Sequence, residues 1–194
     1  QRSQIYEQRK MVLDGENLRD YIMGMVDELV NAIIAPVTMN SRFSEDWDMD
    51  DIYEGCEQIT PAFRDRLNYT EEEQRELDEE QLREDINRVF EQIYEEKETE
   101  VGIEHMREVE RMIMLRVVDN RWMDHIDAME QLKNGIGLRG YGQQDPAVAY
   151  AKEGFDMFGE MIADIREETV KYCFNVSVET RTERRAVSIG EVES

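Results

Sequence analysis

Proline is nearly missing from this sequence. Pro36, Pro61 and Pro146 are the whole supply in 194 residues, and 11 glycines add few further breaks. Charged residues reach 36%, well above the usual quarter, and that balance suits long helices with solvated faces. Cysteine is down to Cys56 and Cys173, without C-x-x-C spacing. That argues against a disulfide framework or a zinc site and for reduced, structural thiols in a cytosolic protein. The sequons at Asn68 and Asn175 then read as chance matches. Positive charge is also short: 23 Lys and Arg stand against 46 Asp and Glu, a formal net charge of −23. A chain this acidic repels nucleic-acid phosphates and anionic lipid overall, so nucleic acid is not an expected partner. No run approaches the roughly 18 apolar residues of a membrane-crossing helix, and no basic-apolar-small signal segment opens the chain. It begins "QRSQIYEQRK", without an initiator Met, and is expected to be a piece of a longer polypeptide.

What is present is helical periodicity. Apolar residues make up 40%, enough for a core in one domain or two small ones. Leu18, Ile22, Met25, Val26, Leu29, Val30 and Ile33 recur at spacings of three and four, one face of a helix. That helix either starts at a cap on Asp14 or continues from the first residues through Gly15, and Pro36 is expected to end it. The stretch after it offers N-cap acids in "SEDWDMDD", a capping-box pattern in Thr70 with Glu73, and a stripe of Leu82, Ile86, Val89, Phe90 and Ile93. Gly102 interrupts the pattern.

From Ile103 to Asn134 one helical pattern continues. Met112, Ile113, Leu115, Val117 and Val118 cover too wide an arc to face a single partner, so burial from two sides is expected there. The stripe then narrows to Trp122, Ile126, Met129, Leu132 and Ile136, which one partner helix can cover. Gly135 is expected to cap this helix. Asp145 as N-cap and Pro146 at the first helical position open the partner. Its stripe is Ala151, Gly154, Phe155, Phe158, Met161, Ile162, Ile165, Thr169 and Tyr172. Two helices of about 30 residues with a short loop make an antiparallel hairpin about 45 Å long. Gly154 and Gly159 are candidates for close helix approach. The tail from Asn175 alternates like a strand with no sheet to join, so poor order is expected.

The loop between the two helices, "GIGLRGYGQQDP", is glycine-rich but not a phosphate cradle. It follows a helix rather than a strand and lacks the GK[ST] that surrounds the anion. An ordinary hairpin turn and an exposed contact tip remain. Lys133, Arg139 and Lys152 there face only Asp145, a local excess of positive charge in an acidic chain. Tyr141, between glycines, offers a large apolar face and one hydroxyl suited to varied peptide surfaces. His125 sits near Asp124 and Asp127, but no HExxH supports a metal, and it reads as a surface or inter-helix histidine. Neither His125 nor His105 has a nucleophile at hand, so no catalytic residue is expected. Trp122 with Arg121 and Asp119 reads as a core tryptophan beside a surface charge pair, or as a docking contact.

Together, "LRVVDNRWMDHIDAMEQLKNGIGLRGYGQQDPAVAYAKEGFDMFGEMI", the opening "QRSQIYEQRKMVL" and the acidic helices after "EDWD" resemble the SecA family of preprotein translocase motors. The resemblance covers nearly the whole chain and none of the family's nucleotide-binding domains. "AVAYAKEGF" departs from it, with alanine where charged residues are common, and the family's cysteine-rich zinc tail is absent from this sequence. The resemblance implies an all-α fold: a long scaffold helix (1–36), an inserted small helical wing (37–105), and a scaffold continuation carrying a two-helix finger (106–175, tip 135–145), then a tail (176–194). It also implies a mechanical role in moving unfolded preproteins through the SecYEG channel, with restraint of the motor's ATPase. Leu138, Arg139, Tyr141 and Gln143 would touch the preprotein. Arg9, Asp119, Arg121 and Trp122 would contact the motor domains, which would hold ATP and Mg. This portion would hold no cofactor or metal. Self-association and a cytoplasmic place at the inner face of the bacterial membrane are further expectations. A stand-alone helical adaptor is the alternative from another class.

Overall fold

A computed structural model of the chain describes residues 1–14, 18–139 and 145–177. The fold is all-α, and among the described residues no strand occurs. In chain order the α-helices are α1 (Arg2–Asp14), α2 (Leu18–Thr38), α3 (Met49–Ile59), α4 (Glu71–Arg75), α5 (Glu79–Val101), α6 (Ile103–Arg139) and α7 (Pro146–Phe174), with 3₁₀ turns at Ser44–Asp46 and Pro61–Phe63. Continuity of the first helix through Gly15 and the strand-like tail from residue 178 lie outside the described residues.

The chain divides into two compact units. One holds Gln1–Met25 and Glu110–Val170; the other holds Val26–Val109 and the chain from Lys171 on. In the first, Ile5 of α1 packs with Val117 and Val118 of α6 and Met161 and Ile165 of α7, flanked by Ile113, Trp122, Phe158 and Ile162. In the second, Leu82, Ile86, Val89, Phe90 and Ile93 of α5 are all buried, as their spacing predicts. Phe90 meets Phe63 in a tilted pair at 5.0 Å and Phe174 edge-to-face at 5.7 Å between centroids, and Tyr94 lies 4.9 Å from Phe174. Cys56 and Cys173 are both buried in this unit and form no disulfide.

The capping residues behave as the sequence suggests. Asp48 accepts from the Asp51 N–H, and Thr70 with Glu73 closes a full capping box; Asp78, a cap the sequence reading did not single out, accepts from the Gln81 N–H. Gly102 takes a φ of 94° between α5 and α6, a conformation that costs glycine little.

Two helix ends differ from expectation. Pro36 does not stop α2, which runs on to Thr38. So near the C-terminus the ring removes a single backbone bond, and the last turn is held by Thr38 Oγ1 donating to the Ile34 carbonyl at 3.2 Å. Gly135 does not cap α6 either; the helix passes through it to Arg139. Ile136 is buried one residue further on, and burial of that side chain outweighs a glycine penalty of about 1 kcal/mol.

α2 is also, by length and composition alone, long and apolar enough to cross a membrane. Arg19, Asp20, Asp27 and Glu28 interrupt its sequence, so no unbroken apolar run is visible there. A core helix meets the same measures. Ile22, Val26, Val30 and Ile34 are buried, and Asp27 accepts a 2.7 Å hydrogen bond from Asn87.

Candidate functional site

The feature that brings the sequence-predicted residues together is the pairing of α6 with α7 in the first unit. The helices run antiparallel. Val118 shares a core with Ile165, His125 meets Phe158, and Met129 meets Gly154, so the index falls on α7 as it rises on α6. At Gly154 a Cβ would lie 2.7 Å from Met129 Cε, so here glycine permits the close approach expected of it. Gly159 does not: a Cβ there would meet nothing within 4 Å.

The seam is not a purely apolar stripe. His125 is 5% exposed and occupies the position expected of Ile126, which is 44% exposed. The imidazole stacks on Trp122 at 5.6 Å and meets the Phe158 ring edge at 5.7 Å. Its Nε2 lies 3.0 Å from Gln1 Oε1, a contact in which the Nε2–H tautomer donates. Burial holds the imidazole pKa below its ordinary 6.5. His125 is thus an inter-helix residue. Among the described residues no group of three or more His, Cys, Asp or Glu is placed to hold an ion. His105 is exposed, 3.8 Å from Glu108 one turn away.

Arg121 clamps the two helices. Its Nε donates to Glu168 Oε2 at 2.9 Å, its Nη2 lies 2.9 Å from Glu168 Oε1, and its Nη1 reaches Asp164 Oδ2 at 3.5 Å. The forked bond to Glu168 raises the guanidinium pKa, and Asp164 adds to the effect. Arg9 of α1 places Nε 3.1 Å from Asp119 Oδ1, a charge contact without hydrogen-bond alignment. Trp122 packs against the core cluster. Arg9, Asp119, Arg121 and Trp122 therefore all make contacts within this one unit. The missed signal is the i, i+4 spacing of Asp164 and Glu168, which presents two carboxylates to one guanidinium.

Parts of both stripes differ from expectation. Met112, on the wide arc of α6, is 61% exposed, while Met114, Val117 and Val118 are buried, so burial from two sides is only partial. On α7, Ala151, Phe155 and Tyr172 are exposed, whereas Gly154, Met161, Ile165 and Thr169 are buried. At the loop, Asp145 Oδ1 accepts from the Ala147 N–H at 3.0 Å, and Pro146 opens α7 as expected. Leu138 and Arg139 end α6, but their side chains, and all of Tyr141 and Gln143, lie outside the described residues.

Comparison with known proteins covers nearly the whole chain. It is 45% identical over 188 residues to the protein translocase subunit SecA 1 of Alkaliphilus metalliredigens, covering 97% of this chain and 21% of that relative. It is 43% identical to the SecA 1 subunit of Clostridioides difficile and 44% identical to the SecA subunit of Desulforudis audaxviator, each over 96% of this chain. The chain spans about a fifth of the length of these curated relatives. The family profile described as "SecA Wing and Scaffold domain" matches residues 1–177. With its locked helix pair and its acidic helical unit, the chain belongs to the SecA wing and scaffold domain family.

Proposed function

We propose that this chain is the scaffold, wing and two-helix finger of an ATP-driven motor that moves unfolded preproteins through the SecYEG channel. Its own part is mechanical and regulatory. In this reading 1–36 and 106–175 act as scaffold and finger, and 37–105 act as the wing. ATP and Mg bind in motor domains outside this chain, and the whole works in the cytoplasm, peripherally on the inner face of the bacterial membrane.

The observation that supports the reading best is the lateral locking of α6 to α7. A tip can transmit a push only if its two helices do not slide. The forked Arg121–Glu168 bond, the edge contact of His125 with Phe158 and the Met129–Gly154 contact resist sliding at successive turns. Leu138, Arg139, Tyr141 and Gln143 then meet the preprotein at the end of the pair. Arg9, Asp119, Arg121 and Trp122 sit along the base, where part of each charged side chain remains exposed for contact with the motor domains. The full-length protein with Tyr141→Gly or Arg139→Ala is expected to translocate preprotein roughly tenfold more slowly, the scale of about 1.4 kcal/mol at one contact. Unchanged transport by a normally folded variant refutes a role for the tip.

A further inference from the structure

Within the first unit, α1 touches both helices of the pair. Gln1, Ile5 and Arg9 recur every four residues, so they share one of its faces. Gln1 meets His125 and Gly154, whereas Ile5 packs with Val117, Val118, Met161 and Ile165. As α1 advances, its partners' numbers fall on α6 and rise on α7. α1 therefore runs against α6 and with α7.

The contacts of this helix differ in what they fix. Ile5 is held by apolar packing, which has no direction. Arg9 and Asp119 are 43% and 45% exposed and lack hydrogen-bond alignment, so water screens their attraction. Gln8 donates to Tyr21 Oη of α2 at 3.3 Å. Among the described residues, Gln1 is the α1 side chain that hydrogen-bonds to both α6 and α7.

The chemistry of its amide fixes which end faces which helix. The Gly154 carbonyl can only accept, so the amide nitrogen donates to it, at 3.4 Å. That turns the amide oxygen to His125 Nε2, 3.0 Å away, so Nε2 carries the proton. Both bonds need a neutral group with a donor and an acceptor side by side. Glutamate cannot donate and lysine cannot accept. The bridge also lands where α6 and α7 approach closely, since Gly154 has no Cβ to hold off Met129.

We propose that Gln1 is a positioning residue: by bridging His125 and Gly154 it holds α6 and α7 in register, so that a displacement of α1 shifts the pair. Its effect on preprotein transport rests on the motor reading; its effect on the register does not.

Three variants of the full-length protein test it. Gln1→Leu keeps apolar bulk and removes both bonds, Gln1→Glu keeps the acceptor and loses the donor, and Gln4→Leu, exposed one turn further on, is the control. With methionine methyls labelled for NMR, Gln1→Leu is expected to move the Met129 resonance, and Gln4→Leu to leave it in place. Gln1→Glu puts a carboxylate beside Nε2 and should raise the His125 titration midpoint by about one pH unit. In transport, Gln1→Leu should lower kcat about threefold, the scale of one net hydrogen bond, with the KM for preprotein unchanged. A Met129 resonance and a His125 midpoint that ignore these Gln1 variants mean that the bridge does not form, and overturn the proposal. So does a Met129 resonance that moves while kcat keeps the parent value. A parent that moves no preprotein refutes the motor reading instead, and the two NMR readouts still decide whether Gln1 sets the register.

Discussion

At the scale of single residues, His125 shows how a polar side chain can substitute for an apolar one in a helix seam. It is flat, stacks on Trp122, and satisfies one nitrogen on Gln1. The cost is a pH dependence. Its folded pKa lies below the ordinary 6.5, so the unfolded chain binds the proton more readily. Stability is therefore fully present above about pH 6.5 and is lost as pH falls through the folded value. Thermal midpoints measured between pH 7.5 and 5 should fall more steeply for the parent than for His125→Phe. Parallel slopes would show that the imidazole is not in the seam. The stripe drawn from spacing alone put Ile126 there because hydrophobicity was its only criterion. Stacking capacity, which favours His125 beside Trp122 and Phe158, has no place in that count.

At the scale of elements, caps were the most legible feature. The acids of "SEDWDMDD", Thr70 with Glu73, and Asp145 with Pro146 act over three or four residues, so nothing distant can override them. Helix ends that depend on tertiary burial were not legible. Gly135 looks like a stop until Ile136 is seen buried beyond it, and Pro36 looks like one until the last turn of α2 is seen to hold without its N–H. The two candidate glycines of α7 also separate only in three dimensions. Gly159→Ala meets open space and should gain about 0.5–1 kcal/mol of helix stability, raising the midpoint by about 1–4 °C. Gly154→Ala must displace the end of Met129, so it should gain less or lose stability. Calorimetry on both variants checks the order; a larger gain at Gly154 would mean that α6 and α7 are not in close contact there.

For the whole molecule, charge and apolar exposure pull in opposite directions. A net charge of −23 keeps copies apart, while Met112 and Met123 stand more than 60% exposed on α6. Self-association should therefore rise with salt. At about 0.5 M the repulsion is screened over only a few ångströms, and sedimentation should show a larger mass than at about 0.02 M. Met112→Glu should abolish that increase. A mass unchanged by salt would mean that the exposed methionines draw no second copy. The two-helix pairing was legible in the sequence because periodicity, cap and loop all agree on it. The clamp that locks it was not, since Arg121, Asp164 and Glu168 are only three charges among many.

The fate of the two thiols has a practical consequence. Cys56 and Cys173 have no exposed surface, and burial pushes the Cys56 thiol up to about 12, so little nucleophilic thiolate forms at neutral pH. Alkylating dyes should bypass both while the chain stays folded. A single cysteine introduced beside the tip would then accept a fluorophore or cross-linker selectively, without prior removal of either native sulfur.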